Sequence, residues 1–377
     1  MASIYLDHNA TTPLHPDVVE AMLPYLTTHF GNPSSGHEVG LRARAAVEAA
    51  REQVASLLGC SSEEVVFTSG GTESNNLALR GLTATHAGAM HVLTSAVEHP
   101  AIEMPCRQLE RQNVRVTRVA VDSFGRVDPG AVVQALERDT VLVTVMLANN
   151  ETGTLMGVRE IAHEARARGV IVHTDAAQAV GKVPTRVADL GVDMLSIAGH
   201  KLYAPKGVGA LYLRKGIKIS PLLFGAGHER GMRPGTENVA SIVGLGAACA
   251  LAERDGARQA DRQRGLRDKL WELLKEKIPG LSLNGHPSER LPNTLNVSFP
   301  GVKGSEVLAR AQDVAASTGS ACHAGSETPS TILKAMGISD AVALGAVRLS
   351  LGRETSEDDI VRAAASLVHA YDAAAKA

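Results

Sequence analysis

A lysine that directly follows a histidine, in Gly199-His200-Lys201, stands between two apolar runs of the chain. The runs at 192–197 and 210–213 read as buried strands, and the Gly- and Pro-punctuated stretch between them as a tight turn. A lysine held at the mouth of a sheet is placed to form an imine with a carbonyl cofactor. A lone lysine is more often a solvated surface group, so its chemistry depends on what else meets it.

Further polar groups fall at the ends of further apolar runs. Ser69-Gly70-Gly71-Thr72 follows a strand at 65–68 and opens a helix, where free backbone N–H groups, the helix dipole and a hydroxyl form a cradle for a phosphate. Glu98-His99-Pro100 follows a strand at 91–94, and Asn149-Asn150-Glu151-Thr152-Gly153 follows one at 141–147. Asp175-Ala176-Ala177-Gln178 follows one at 170–173. Each has an ordinary explanation as a cap, an Asx-turn or a loop histidine. Converging on one edge of a sheet, they make a complete set for pyridoxal phosphate. Lys201 would bond the aldehyde, and burial and neighbouring charge tune such a lysine. Asp175 would pair with the ring nitrogen and His99 would stack on the ring. Asn150 and Gln178 would hydrogen-bond the phenolic oxygen, while Gly71, Thr72 and His200 would hold the phosphate.

The elements that must position these groups alternate. Helices at 101–112, 129–136 and 158–167 separate strands at 91–94, 114–119, 141–147 and 170–173. Repeated β-α-β units imply an α/β fold with a mostly parallel, doubly wound sheet, and such sheets bind ligands beyond the carboxyl ends of their strands. Beyond residue 213 the reading is a helix from about 237 to 254, a densely charged stretch at 253–267, a second helix, and then a looser α+β pattern. The domain junction is therefore expected near Asp255. A large cofactor-binding domain would cover 14–255, and a small C-terminal domain 1–13 and 256–377.

Composition agrees with this class. The chain has 377 residues, 44% hydrophobic and 21% charged, with only 3% aromatic, a balance that suits parallel strands packed under helices. Its net charge of −2 gives no electrostatic case for nucleic acid or an anionic membrane. No window approaches a membrane span, and the N-terminus runs straight into a strand without a leader pattern, so a cytoplasmic protein is expected. The cysteines Cys60, Cys106, Cys249 and Cys322 are far apart and form no Cys-x-x-Cys. No metal cluster is expected: His37-Glu38 and His163-Glu164 lack the second histidine of a zinc protease motif. Gly207-Val208-Gly209 precedes a strand rather than a helix, so it is no dinucleotide fingerprint.

On these motifs the chain resembles the cysteine desulfurases of the NifS and IscS kind, within the class V aminotransferases, over essentially its whole length. The matching blocks also include Leu6-Asp7-His8-Asn9-Ala10-Thr11-Thr12-Pro13, Gly31-Asn32-Pro33-Ser34-Ser35 and Arg233-Pro234-Gly235-Thr236-Glu237-Asn238. The resemblance implies a homodimeric pyridoxal phosphate enzyme of fold type I, in which Thr236 reaches the partner's phosphate. It implies that Asn32 and Arg348 bind substrate, Arg348 by clamping its carboxylate with a bidentate fork. It also makes Cys322, in Gly319-Ser320-Ala321-Cys322-His323, the catalytic cysteine carried by the small domain. That Gly- and Ser-rich stretch lacks apolar periodicity and reads as a mobile exposed loop, where a thiolate is free to act as a nucleophile.

The activity implied is conversion of L-cysteine to L-alanine, leaving a persulfide on Cys322 for delivery to a sulfur acceptor or an iron–sulfur scaffold protein. Lys201 would shuttle the proton, assisted by His99. Two departures stand out. Ala198 replaces a serine that contributes a phosphate contact in many desulfurases, and Cys322-His323 replaces their commoner Cys-Thr. Cys-His also occurs in selenocysteine lyases, so release of selenium from L-selenocysteine is the close second reading. A class V aminotransferase that leaves Cys322 idle is the third.

Overall fold

The computed structural model describes residues 3–318 and 328–376. The chain opens with β1 (Ile4–Tyr5), α1 (Pro16–Thr27), α2 (Glu38–Leu58), β2 (Val65–Thr68), α3 (Gly71–Thr83), β3 (His91–Ser95), α4 (Pro100–Glu110) and β4 (Arg115–Val119). There follow α5 (Pro129–Ala135), β5 (Thr140–Thr144), α6 (Val158–Arg166), β6 (Ile171–Asp175), α7 (Val187–Leu190), β7 (Met194–Ala198) and β8 (Gly209–Leu213). The remainder comprises α8 (Val239–Lys277), β9 (Ser282–Asn284), β10 (Thr294–Ser298), α9 (Gly304–Arg310), β11 (Val314–Ala315), α10 (Thr331–Ala335), α11 (Asp340–Leu344), β12 (Ala346–Ser350) and α12 (Glu357–Ala375).

Seven strands form the main sheet in the order β2-β8-β7-β6-β5-β3-β4. Only β8 runs against its neighbours; β7, β6, β5, β3 and β4 pair in parallel. The sheet is thus mostly parallel, as the β-α-β alternation implies. Side chains alternate across it with the strand period of two. Val66, Val92, Leu142, Met194 and Leu211 face α3 and α4 on one side. Val65, Leu93, Val143, Leu195 and Ala210 join the larger core on the other. Burial on both faces explains why these strands read as continuous apolar runs.

A second apolar core lies around the antiparallel sheet β12-β10-β9. Leu295, Val297, Val347 and Leu349 pack there with Ile360 and Leu367 of α12. Ile4 and Leu6 belong to this core, since β1 pairs in parallel with β11. The expected two helices on either side of Asp255 are one helix, α8, of 39 residues. Its first half supplies Ile242, Leu245 and Cys249 to the large core and its second half Leu270 and Leu274 to the small one. The densely charged stretch at 253–267 is a solvated helix face; Ala260, Gln263 and Arg267 turn inward along it. Ile332, Leu333 and Met336, expected with the small domain, pack into the large core instead. Among the described residues no helix is long and apolar enough to cross a membrane.

Candidate active site

The carboxyl ends of β2, β3, β5, β6 and β7 open on one cleft of about 470 Å³. Every predicted site residue except Asn32, Thr236 and Cys322 lines it. Gly70, with φ of 147°, turns the chain from β2 into α3 in a region that disfavours side chains. That turn aims the N-terminus of α3, with Gly71 and Thr72, into the cleft. A Cβ added at Gly71 would stand 3.2 Å from the Ala198 Cβ. The alanine that replaces the expected serine therefore seats the head of α3 against the end of β7.

Asp175 ends β6 and is 7% exposed. Its Oδ1 accepts the Ala177 N–H at 2.9 Å and its Oδ2 the Asn75 side-chain amide at 2.7 Å. His99 caps α4: its Nδ1 accepts the Ala101 N–H at 3.0 Å, so the proton of the neutral ring sits on Nε2. Burial and, more weakly, the Lys201 charge lower the His99 pKa, against the opposing pull of the Asp175 carboxylate. Under it, Glu98 Oε1 accepts from the Ser95 hydroxyl at 2.5 Å and the Met146 N–H at 3.0 Å. Burial pushes the Glu98 carboxyl up to about 8, so it is a neutral strut joining the ends of β3 and β5.

Lys201 donates to the carbonyl oxygens of Asn9 at 2.6 Å and Ala10 at 2.8 Å. Burial and the Arg348 guanidinium lower its amine to about 8, despite Asp7 and Asp175. The next histidine, His200, contacts Thr11 Oγ1 at 3.2 Å through Nδ1; burial and nearby lysines lower it to about 4. Gln178 donates to the Asn9 carbonyl at 2.9 Å. Arg348 reaches over from β12, donating to the Asn150 carbonyl at 2.9 Å and to Asp7 Oδ1 at 2.8 Å.

Three predicted residues are not in the cleft of this chain. Asn32 is exposed, and its Oδ1 accepts the Ser34 N–H at 2.9 Å within its own turn. The turn is drawn against the start of α2, where a Cβ at Gly31 would fall 2.1 Å from the Val39 oxygen. Thr236 is likewise exposed, in the loop before α8. Cys322 lies outside the described residues. Conversely, Asp7, Asn9 and Asn75 line the cleft without having been singled out. Asn75 carried a signal: it lies one helical turn after Gly71, hence on the same face of α3. Asp7 and Asn9 arrive from the far end of the chain.

The cleft fits pyridoxal phosphate. Asn75 Oδ1, Asn150 Oδ1 and Arg348 Nε are buried without a partner, although buried polar atoms are nearly always paired. The first-turn N–H groups of α3 are free within the helix and suit a phosphate. Asp175 offers a buried carboxylate to a ring nitrogen, and Lys201 an amine of lowered basicity to an aldehyde.

Comparison with known proteins agrees. The chain is 47% identical to a cysteine desulfurase of a Nostoc species over 364 residues, 96% of this chain and 91% of that one. Its fold matches a solved NifS-like protein with a TM-score of 0.91 at 35% identity, covering 97% of this chain and 98% of the other. A structure described as SspA in complex with cysteine matches with a TM-score of 0.82 at 36% identity, covering 92% and 98%. The model of the aminotransferase class-V family matches residues 4–362, and the chain belongs to that family.

Proposed function

We propose that the protein is a pyridoxal phosphate-dependent cysteine desulfurase. The observation that carries this is the meeting of Lys201, Asp175, His99 and the head of α3 in one cleft, in a chain close to named desulfurases. When bound, the cofactor supplies an electron sink for the bonds broken at the substrate's α-carbon. Asp175, held by Asn75 and the Ala177 N–H, is oriented to keep a proton on the ring nitrogen. Gly71, Thr72 and His200 hold the phosphate, with Thr236 reaching it from the partner subunit in a homodimer. Asn150 and Gln178 meet the phenolic oxygen. Arg348 binds the substrate carboxylate, its fork steadied by Asp7 and the Asn150 carbonyl. With an amine lowered to about 8, Lys201 in its neutral form takes the α-proton and gives it back, and His99 assists at Nε2.

The Cys322 thiolate takes the sulfur: an S–S bond forms, the substrate's C–S bond breaks, and that carbon gains a proton to give alanine. The persulfide then passes to an acceptor protein. In the same reading, a large domain of 14–255 carries the cofactor and a small one of 1–13 and 256–377 brings Cys322. Support for the homodimer comes from exposed large apolar side chains, Leu23, Leu26 and Phe30 shortly before Asn32 and Phe224 in the stretch leading to Thr236. Asn32 would then serve the substrate site across the interface.

The test is alanine release from L-cysteine by the wild type and Cys322→Ala. Alanine from the wild type alone supports desulfuration. Equal rates overturn the role of Cys322, and no alanine from either L-cysteine or L-selenocysteine favours an aminotransferase, which leaves the C–S bond intact. The same pair of assays with L-selenocysteine separates off a selenocysteine lyase, which would release alanine only from the selenium substrate.

A further inference from the structure

Behind Lys201 lies a cation that the reaction does not use. Lys182 stands four residues after Gln178, in the turn beyond β6, and its ammonium donates to Gln178 Oε1 at 3.1 Å. A longer contact of 3.5 Å reaches Asn9 Oδ1. No carboxylate of the described residues forms an ion pair with it, whereas Arg348 has Asp7. The charged groups around it are the cations Lys201 and Arg348, with His8 alongside. Burial, and then the charges of Lys201 and Arg348, lower the Lys182 amine to about 7. Such a position is costly unless the donor is needed there.

The need is visible in the Gln178 amide. An amide has a donor end and an acceptor end, and its neighbours decide which way it points. Here the Nε2 end faces the Asn9 carbonyl at 2.9 Å and the Oε1 end faces Lys182. Turned over, the amide would set its NH₂ against the Lys182 ammonium and its oxygen against the Asn9 carbonyl, losing both bonds. Protonated or neutral, Lys182 keeps N–H groups to donate. Of the two N–H groups on Nε2, Asn9 takes one, so the second remains for the cleft that Gln178 lines. The Asn9 carbonyl is also the acceptor that holds Lys201, so one short chain of bonds runs Lys182, Gln178, Asn9, Lys201.

We infer that Lys182 is a positioning residue, whose contact with Gln178 Oε1 locks the amide so that a donor is presented to the phenolic oxygen of the cofactor. This rests on the pyridoxal phosphate reading of the cleft. A donor there withdraws charge from the phenolic oxygen and lowers the basicity of the neighbouring lysine–cofactor linkage.

The experiment titrates the visible absorption band of the holoenzyme with pH, in wild type, Lys182→Met, Lys182→Arg, Gln178→Leu and the Lys182→Met/Gln178→Leu double variant. Gln178→Leu is expected to raise the band's midpoint by about one pH unit, the scale of one hydrogen bond to a charged group. Lys182→Met should raise it by a similar amount, Lys182→Arg should restore it, and the double variant should move no further than Gln178→Leu. A Lys182→Met shift that persists in full without Gln178 would mean a through-space charge effect and overturn the inference. So would a wild-type midpoint in Lys182→Met. An unmoved Gln178→Leu would remove the phenolic-oxygen contact itself, while failure of the wild type to develop a visible band would sink the underlying cofactor reading.

Discussion

Two buried polar constellations in this protein are built on opposite principles. Arg51 of α2 is 4% exposed, and its guanidinium grips the Glu229 carboxylate with bonds of 2.7 and 2.8 Å. It also donates to the Val65 carbonyl and to Glu48, and lies over the Phe67 ring at 4.6 Å. Glu229 in turn accepts the Phe67 N–H at 2.8 Å. The polar atoms of this node have partners. The cleft at the strand ends has the reverse character: Asn75, Asn150 and Arg348 each keep a buried atom without one. Saturation marks a place that holds the fold, and open valences mark a place that waits for a ligand. The node also holds a strained segment, since Glu229 and Arg230 take φ of 47° and 58° without being glycine. Its loop leads to Thr236, and Arg233 ties it to α3 through Glu73 at 2.9 Å.

The contrast breaks if substitutions in the two places behave alike. The largest effect is expected at Lys201: Lys201→Met should lower alanine release from L-cysteine by about 10³-fold or more, while urea unfolding after cofactor removal shows no loss of stability. At the node the order reverses. Glu229→Ala strands the Arg51 charge in the interior and should cost about 3–5 kcal/mol in urea unfolding. A cleft variant that destabilises as much as this one would end the comparison.

A pH experiment sharpens it. The Lys201 amine sits at about 8 when folded and 10.5 when unfolded, so between those values the unfolded chain binds more protons. Its contribution to stability therefore rises with pH across that window and is least below about 8. After cofactor removal, Lys201→Met should gain more over wild type at pH 7 than at pH 10.5, read as the difference in urea midpoints. The smallest effect belongs to a saturated feature far from the cleft. Ser356 and Asp359 form a capping box at the start of α12, and Ser356→Ala should cost about 1 kcal/mol in unfolding while leaving turnover unchanged.

Read from the chain alone, the strands and the polar groups at their ends were legible because both signals are local. A buried strand shows as a short apolar run, and Asp175, His99, Asn150 and Lys201 each follow such a run within a few residues. The helix break near Asp255 misread because charge density does not break a helix; α8 carries its charges on the solvent side and binds two cores along one rod. Asn32 lies outside the cleft of its own chain, where its side chain is occupied by its own turn.

The sequence by itself determined the alternation of strand and helix, the glycine turn that opens α3 and the family to which the chain belongs. Only the tertiary structure decided what surrounds Lys201. Asp7 meets Arg348 across 341 positions, and the Asn9 carbonyl meets Lys201 across 192. Such contacts leave no periodicity to read, because they exist only once β1 has paired with β11 and brought the N-terminal turn over the strand ends. The direction of the Gln178 amide, set by Lys182 on one side and Asn9 on the other, is of the same kind. Residue types near in sequence disclose which chemistry is available, and packing decides which atom of each faces it.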